Sequence, residues 1–187
     1  MRVTNLNAAH RQFITAIDLF FRRSDPVSIH SLASNSREIY EKLLQKAGKE
    51  RVFDLIRDSH PNHTEQELWN ALNYSRNFFK HPPTDGQEEC EISFEMNRSL
   101  LFYASLDCGQ LCGPNHPIKI QAYAVWFLAT DRTDENSPPS PSIERTAFLD
   151  RQFPGLRQAS EEEQLLRWSD ILAVADQLTE LDVINVS

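Results

Sequence analysis

Residues 25–48, DPVSIHSLASNSREIYEKLLQKAG, carry the pattern that decides the fold. Asp25 is a favoured N-cap residue, and Pro26 suits the first helical position, where an N–H would have no intrahelical partner. Apolar side chains then recur at three- and four-residue steps, and Gly48 follows the last of them, as glycine commonly does after a helix. The stretch is predicted to be a helix with one apolar face, formed by Ile29, Leu32, Ala33, Ile39, Tyr40 and Leu43.

Similar signals predict helices on both sides of this segment. The first runs from about Asn7 to Phe21, and a capping box at Thr64–Glu67 opens another that Pro82 ends. A further helix covers about Phe94 to Leu111, and the one after Pro117 is apolar on most sides, which favours a buried position. Residues 1–130 are therefore predicted to form an all-α, up-and-down helical bundle of about five helices.

The remainder of the chain is predicted to be a C-terminal helical arm. Residues 131–142 contain three prolines and few apolar side chains, which predicts a flexible linker. Residues 143–187 then contain a short helix and a longer one opened by Ser160–Glu163. The longer helix has two apolar stripes, and it packs on the bundle, on a second subunit, or on both; the stripes are Leu165, Trp168, Leu172 and Ala175, and Ile171, Val174, Leu178 and Leu181.

Composition limits the classes of function. The 187 residues have a net charge of −8, which argues against a protein that coats nucleic acid with its whole surface. The charge is uneven, because residues 1–57 carry ten Lys or Arg against six Asp or Glu. The start of the chain contains no apolar run typical of a signal peptide, and the most apolar stretch is too short to span a bilayer. We therefore expect a cytoplasmic protein without membrane association.

The segment Arg76-Asn77-Phe78-Phe79-Lys80-His81 is the one chemically suggestive motif in the chain. The loose pattern of an Arg followed by a His after four to six residues occurs three times, but only Arg76 is followed by Asn. The tighter motif resembles the signature of the HEPN superfamily, small helical-bundle domains with a metal-independent ribonuclease site at the end of a bundle helix. Residues 25–30 and 77–81 together also resemble a family of small uncharacterised bacterial proteins, a likeness that implies no activity.

The HEPN resemblance implies a mechanism in which RNA is cleaved by its own 2′-hydroxyl. His81 would take the proton, Arg76 would stabilise the phosphate charge, and Asn77 would orient either group. Lys80 could hold a neighbouring phosphate, although a cation near a helix C-terminus is ordinary. The resemblance further implies a bacterial stress or defence role, a homodimer with the motif at its interface, and neither a cofactor nor a metal.

Pro82 supplies a backbone argument that is independent of the resemblance. A residue before proline is disfavoured in the α conformation, so His81 is predicted to leave the helix and become able to approach Arg76. The same Pro82-Pro83 pair departs from the family pattern, in which a small or polar residue commonly follows the His. Two prolines remove two amide donors, and phosphate binding by the local backbone is therefore not expected.

Two other groups of residues offer alternative sites. His30, Arg37 and Glu41 are predicted along the rim of the second helix, where they could complete a site with Arg76 or simply form side-chain pairs. Cys108, Cys112 and His116 are spaced by four residues, and with His60 or His63 they could surround zinc. Gly113-Pro114 interrupts that spacing and no Cys-x-x-Cys is present, so the three cysteines are predicted to be reduced and no metal site is predicted.

Two functions remain open from the sequence. One is a HEPN-like ribonuclease or RNA-binding protein, and the other is a non-catalytic helical module that binds another protein. The ribonuclease requires Arg76 and His81 to face one open polar cleft. If Arg76 instead pairs with a carboxylate on a solid surface, the ribonuclease hypothesis fails and the interaction module is favoured.

Overall fold

The computed structural model describes residues 2–81, 89–131 and 143–185. Within these ranges the chain is all-α, with eight α-helices, one 3₁₀ turn and no strand. The helices are α1 Asn5–Phe21, α2 Pro26–Lys46, α3 Val52–Ser59, α4 Glu65–Lys80, α5 Phe94–Cys112, α6 Ile118–Thr130, α7 Ile143–Gln152 and α8 Glu161–Asn185, with the 3₁₀ turn at Gly113–Asn115. The predicted all-α helical bundle is confirmed.

The helix starts follow the predicted caps. Asp25 Oδ2 accepts hydrogen bonds from the backbone N–H and the hydroxyl of Ser28, at 2.8 and 2.6 Å. At the start of α4 the capping box is reciprocal, because the Glu67 N–H donates to Thr64 Oγ1 and the Thr64 N–H donates to Glu67 Oε2. These bonds satisfy amide donors that have no partner inside the helix. The local sequence therefore sets where both helices begin.

The helix α3 was not predicted. Its N-cap position is held by Arg51, which is not one of the residue types that usually cap a helix. The cap comes instead from two aspartates: Asp54 accepts from the Arg51 N–H at 3.0 Å, and Asp107 of α5 accepts from the Val52 N–H at 2.8 Å. The second of these partners is 55 residues away, so no local pattern could reveal it.

The chain divides into two compact units, residues 1–116 and residues 117–187. In the first unit α2 packs on α1, α4 and α5, while α1 and α3 also pack on α5. Its core consists mainly of Phe13, Ile17, Phe20, Ile29, Ala33, Tyr40, Leu44, Leu101, Ala104 and Cys108, none of which has exposed surface. Of the predicted apolar face of α2, Leu32, Ile39 and Leu43 are only half-buried.

In the second unit α6 packs on both α7 and α8. The largest buried side chains are Tyr123 and Trp126 of α6 and Trp168 of α8, and the ring of Trp168 lies 4.8 Å from that of Phe153. The predicted stripe of Leu165, Trp168, Leu172 and Ala175 is buried. The division into two compact units does not show which segments fold independently. The predicted domain boundaries at residues 130 and 142 therefore stay a prediction.

Most of the predicted linker, residues 132–142, lies outside the described ranges, as do Pro82 and Pro83. Among the described residues, no helix combines the length and apolar character needed to cross a membrane.

Two leucines of α5 provide a test of the core of the first unit. Leu101 is fully buried, and Leu101→Ala is expected to lower the free energy of unfolding by about 2–5 kcal/mol, because it removes apolar contacts and leaves a cavity. Leu106 on the same helix is 40 % exposed, and Leu106→Ala should cost about 0.5 kcal/mol. Urea unfolding followed by circular dichroism measures both losses. Equal losses would contradict the buried face assigned to α5.

Candidate functional site

The motif residues lie at the C-terminal end of α4. Lys80 is the last helical residue, and His81 has an extended backbone with φ −131° and ψ 110°. The His81 N–H still donates to the Asn77 carbonyl at 2.9 Å, while its side chain is exposed to solvent. The prediction that His81 leaves the helix is confirmed, and the restriction imposed by Pro82 explains it.

The side chain of Arg76 is paired with a carboxylate. Its guanidinium forms an ion pair with the carboxylate of Glu38 on α2, and only 13 % of the Arg76 side chain is exposed. The Arg76 Nε is buried and has no hydrogen-bond partner among the described residues. Burial, and then the charge of Arg37, lower the pKa of Arg76. An arginine that already binds a carboxylate is less available to a phosphate, which counts against a nuclease with a free Arg76.

Glu38 binds two further cations. Lys42 Nζ lies 2.6 Å from Glu38 Oε1, and Lys80 Nζ lies 3.8 Å from Glu38 Oε2. We call Glu38, Lys42, Arg76 and Lys80 the Glu38 cluster. One carboxylate compensates one of its three cations, so two positive charges remain. Burial, and then the positive charges of Arg76 and Lys42, lower the pKa of Lys80, as expected when cations lie close together.

The structure thus brings together some of the predicted site residues. Arg76 and Lys80 meet on Glu38, and His81 is joined to Asn77 through the backbone. The side chain of Asn77 is exposed. Sequence reasoning missed Glu38, because its pairing with Arg76 spans 38 residues; the only local signal was the i, i+4 spacing of Glu38 and Lys42.

Three polar residues predicted on the rim of α2 are buried instead, namely His30, Arg37 and Glu41. Arg37 and Glu41 are about 5 % exposed and form an ion pair, with Arg37 Nε 3.3 Å from Glu41 Oε1. The Arg37 guanidinium also donates to Asn73 Oδ1 of α4 at 3.4 Å. His30 Nδ1 lies 3.1 Å from Asn97 Oδ1, which assigns the ring proton to Nδ1. Partners on two other helices are what allow these polar groups to be buried.

A cleft with a volume of about 390 Å³ lies between α2, α4 and α5. Among the residues that line it are His30, Arg37, Ser75, Met96 and Tyr103. Arg76 and His81 are not among its lining residues. The expectation that both motif residues face one open cleft is therefore not met by this cleft.

Asp107 of α5 is a fully buried carboxyl in the first unit. Its Oδ1 accepts from the Val52 N–H, but its Oδ2 is buried without a partner among the described residues. Burial raises the pKa of Asp107 to about 7, an effect that the Val52 hydrogen bond opposes. A carboxyl in this position holds its proton through most of the acidic range.

Asp107→Asn is expected to change the pH dependence of stability. In the unfolded chain an aspartate ionises near pH 4, whereas folded Asp107 keeps its proton up to about pH 7. Folded Asp107 therefore binds more protons in this window than unfolded Asp107, and its contribution to the free energy of unfolding of the wild type falls as pH rises, by at most about 1.4 kcal/mol per pH unit. Asparagine can still accept from Val52 but cannot ionise.

The difference in unfolding free energy between the Asn variant and the wild type should thus grow in favour of the variant from about pH 4 to about pH 7 and then level off. Urea titrations at a series of pH values measure this difference. A difference that does not change with pH would show that Asp107 is not held in its protonated form.

The thiols of Cys108 and Cys112 could hold a metal together with a histidine, but not with His60 or His63. The structure groups them with His10 of α1, and neither His60 nor His63 belongs to the group. His60 and His63 are exposed and lie beside each other, with ring centroids 6.4 Å apart. His10 was missed because it precedes the cysteines by about a hundred residues.

Comparison of this chain with protein-family models, with curated proteins and with solved structures gave no match. The HEPN resemblance therefore rests on the motif and the helical bundle alone.

Proposed function

We propose that this protein binds the phosphate backbone of single-stranded RNA at the Glu38 cluster, as an RNA-binding protein of HEPN-like type. The observation that carries the proposal is the convergence of Lys42, Arg76 and Lys80 on a single carboxylate. Among the described residues, Glu38 is the one carboxylate that pairs with these three cations, so two positive charges are uncompensated there. The net charge of the whole chain is −8. An RNA phosphate would relieve their mutual repulsion, and release of the counterions bound to RNA would favour the complex.

The exposure of these cations fits a surface that meets a polyanion. The side chain of Lys42 is 71 % exposed and that of Lys80 is 41 % exposed, so both can reach a phosphate without rearrangement of the helices. The exposed His81 imidazole follows directly after Lys80 on the chain. A strand bound along the end of α4 would therefore pass beside a group that can accept a proton.

Cleavage is the further activity that the motif offers. His81 would remove the proton of a 2′-hydroxyl, and Arg76 would stabilise the phosphate charge that develops. This step requires the phosphate to displace Glu38 from Arg76, because the guanidinium is paired in the present arrangement. Binding is thus better supported than cleavage, and the homodimeric arrangement with the motif at the interface belongs to this proposal.

Two substitutions in the cluster should change RNA affinity in opposite directions. Lys80→Gln removes a positive charge and is expected to weaken binding to a single-stranded RNA about threefold to tenfold, and to reduce the slope of log K against log[salt] by about 0.7. Glu38→Gln removes the competing carboxylate and is expected to tighten binding about threefold to tenfold. Fluorescence anisotropy over a series of salt concentrations measures both quantities.

The control is Arg22→Gln, which removes one positive charge from an exposed position at the end of α1. It changes the net charge as much as Lys80→Gln and should leave the affinity nearly unchanged. If the wild type binds no RNA, or if Lys80→Gln and Arg22→Gln have equal effects, the Glu38 cluster is not an RNA site.

His81→Ala tests the cleavage step separately. With a mixed RNA substrate and a chelator present, the wild type should cleave. His60→Ala is the control and should cleave as the wild type does, because His60 is an exposed histidine outside the motif. The loss of a general base predicts a rate at least about 100-fold lower for His81→Ala. Equal cleavage by all three proteins, or none by any of them, would remove catalysis from the proposal and leave RNA binding to be judged by affinity.

A protein-interaction module is the second candidate function, and a different surface favours it. On α8 the side chains of Leu166 and Val174 are 70 % and 55 % exposed, and Ile171 is 37 % exposed. They lie beside the buried stripe of the same helix, as in a helix that contacts two partners. Leu178 and Leu181 belong to the stripe predicted from the sequence, and their side chains lie outside the described residues. The pairing of Arg76 with Glu38 is also compatible with this function.

A further inference from the structure

Three side chains of types that bind zinc lie close together where α1 contacts the end of α5. His10 lies in α1, and Cys108 and Cys112 lie in the last two turns of α5. The ligand atoms of all three lie within 4.8 Å of one another. Cys108 is fully buried, and the other two are half-buried. A cluster of this composition is independent of the Glu38 cluster and of the proposed RNA binding.

The two sulfur–nitrogen distances in the cluster are close to those in a zinc coordination tetrahedron. His10 Nε2 lies 3.6 Å from Cys108 Sγ and 3.8 Å from Cys112 Sγ. With Zn–S bonds of about 2.3 Å and Zn–N bonds of about 2.0 Å, tetrahedral geometry requires a separation of about 3.5 Å between sulfur and nitrogen. Both sulfur–nitrogen separations are therefore close to the required value, and the two sulfurs lie within 4.8 Å of each other, against about 3.8 Å in a tetrahedral site.

Hydrogen bonding explains this arrangement only in part. An imidazole Nε2 without a proton has one lone pair, so it accepts a hydrogen bond from one thiol; with a proton it accepts none. Only one of the two thiols can therefore donate to His10, and the other is left to the neighbouring thiol sulfur, which is a weak acceptor. A divalent cation binds all three atoms at once. Two thiolates and one dication also have no net charge, which suits a partly buried position.

We propose that His10, Cys108 and Cys112 form a structural binding site for Zn²⁺, with His116 as the fourth ligand. Each thiol releases its proton to solvent on binding, and the imidazoles bind as neutral rings, so the site forms by exchange of two protons for one dication. No change of oxidation state is involved.

His116 has the features of a fourth ligand. It follows Cys112 by four residues and lies in the turn after α5. Its Nδ1 lies 2.6 Å from the Gly113 carbonyl, the hydrogen bond that commonly orients a metal-binding histidine. A Cβ built on Gly109, between the two cysteines, would lie 4.0 Å from His116 Nε2. His116 is outside the group within 4.8 Å, so the turn has to move toward the thiols to complete the tetrahedron.

The position of the site indicates a structural role. The ion would join α1 to the end of α5, segments that are about a hundred residues apart in sequence. The same end of α5 is held by Lys49, whose Nζ donates to the carbonyls of Gln110 and Leu111. With four protein ligands, Zn²⁺ would have no open position for substrate, as is usual for structural sites.

Titration of the reduced, metal-free full-length chain with Co²⁺ tests the proposal. Tetrahedral Co²⁺ with two thiolates has strong visible bands and a thiolate charge-transfer band. We expect one equivalent to bind, Zn²⁺ to displace it, and the melting temperature to rise when Zn²⁺ is added. Cys112→Ser and His10→Ala should each weaken binding by at least about tenfold and lose most of the charge-transfer band or shift it.

Cys90→Ser is the matched control, because Cys90 is the remaining cysteine and does not belong to the cluster. It should bind Co²⁺ as the wild type does. Circular dichroism of each variant without metal establishes that its helices are intact, and Cys112 is chosen over the fully buried Cys108 for the same reason.

Some outcomes would overturn the assignment. If the wild type binds neither Co²⁺ nor Zn²⁺ while three thiols react, the cluster is only a packing contact. If mass spectrometry shows a Cys108–Cys112 disulfide that forms in preference to a metal complex, the pair is a redox site. If His116→Ala binds Co²⁺ as tightly as the wild type, the fourth ligand is wrong.

Discussion

The first unit depends on the burial of α2, which contacts α1, α4 and α5. One side of this helix supplies Ile29, Ala33, Tyr40 and Leu44 to the apolar core. The adjoining part of the same surface carries Arg37 and Glu41, which are buried as an ion pair. A buried charge is tolerated only when it is paired and hydrogen-bonded, so α4 must present Asn73 to Arg37. This requirement constrains the rotation of both helices about their axes.

The same rotation of α2 produces the Glu38 cluster. Glu38 follows Arg37 directly, so it lies about 100° further round the helix and faces Arg76 of α4. Lys42 is one turn further along α2, and Lys80 is one turn further along α4. The packing of these two helices therefore produces a local excess of positive charge. The acidic composition of the whole chain does not indicate this excess.

Polar groups from distant parts of the chain complete several local elements of the first unit. Asp107 accepts a hydrogen bond at the start of α3, and Lys49 donates to carbonyls near the end of α5. His10 brings a nitrogen to the two thiols at that end. In each case a backbone or side-chain group near the end of one helix finds its partner in a distant segment of the chain. Such long-range contacts hold short elements such as α3 in place.

The sequence by itself determined the helical class, the caps at Asp25 and Thr64, and the departure of His81 from α4. These features depend on interactions within about four residues, which apolar spacing, capping residues and proline make visible. The tertiary structure alone decided the existence of α3, the burial of His30, Arg37 and Glu41, and the choice of His10 over His60 or His63. It also decided that Arg76 binds Glu38, because the energies of such contacts depend on residues that only folding brings together.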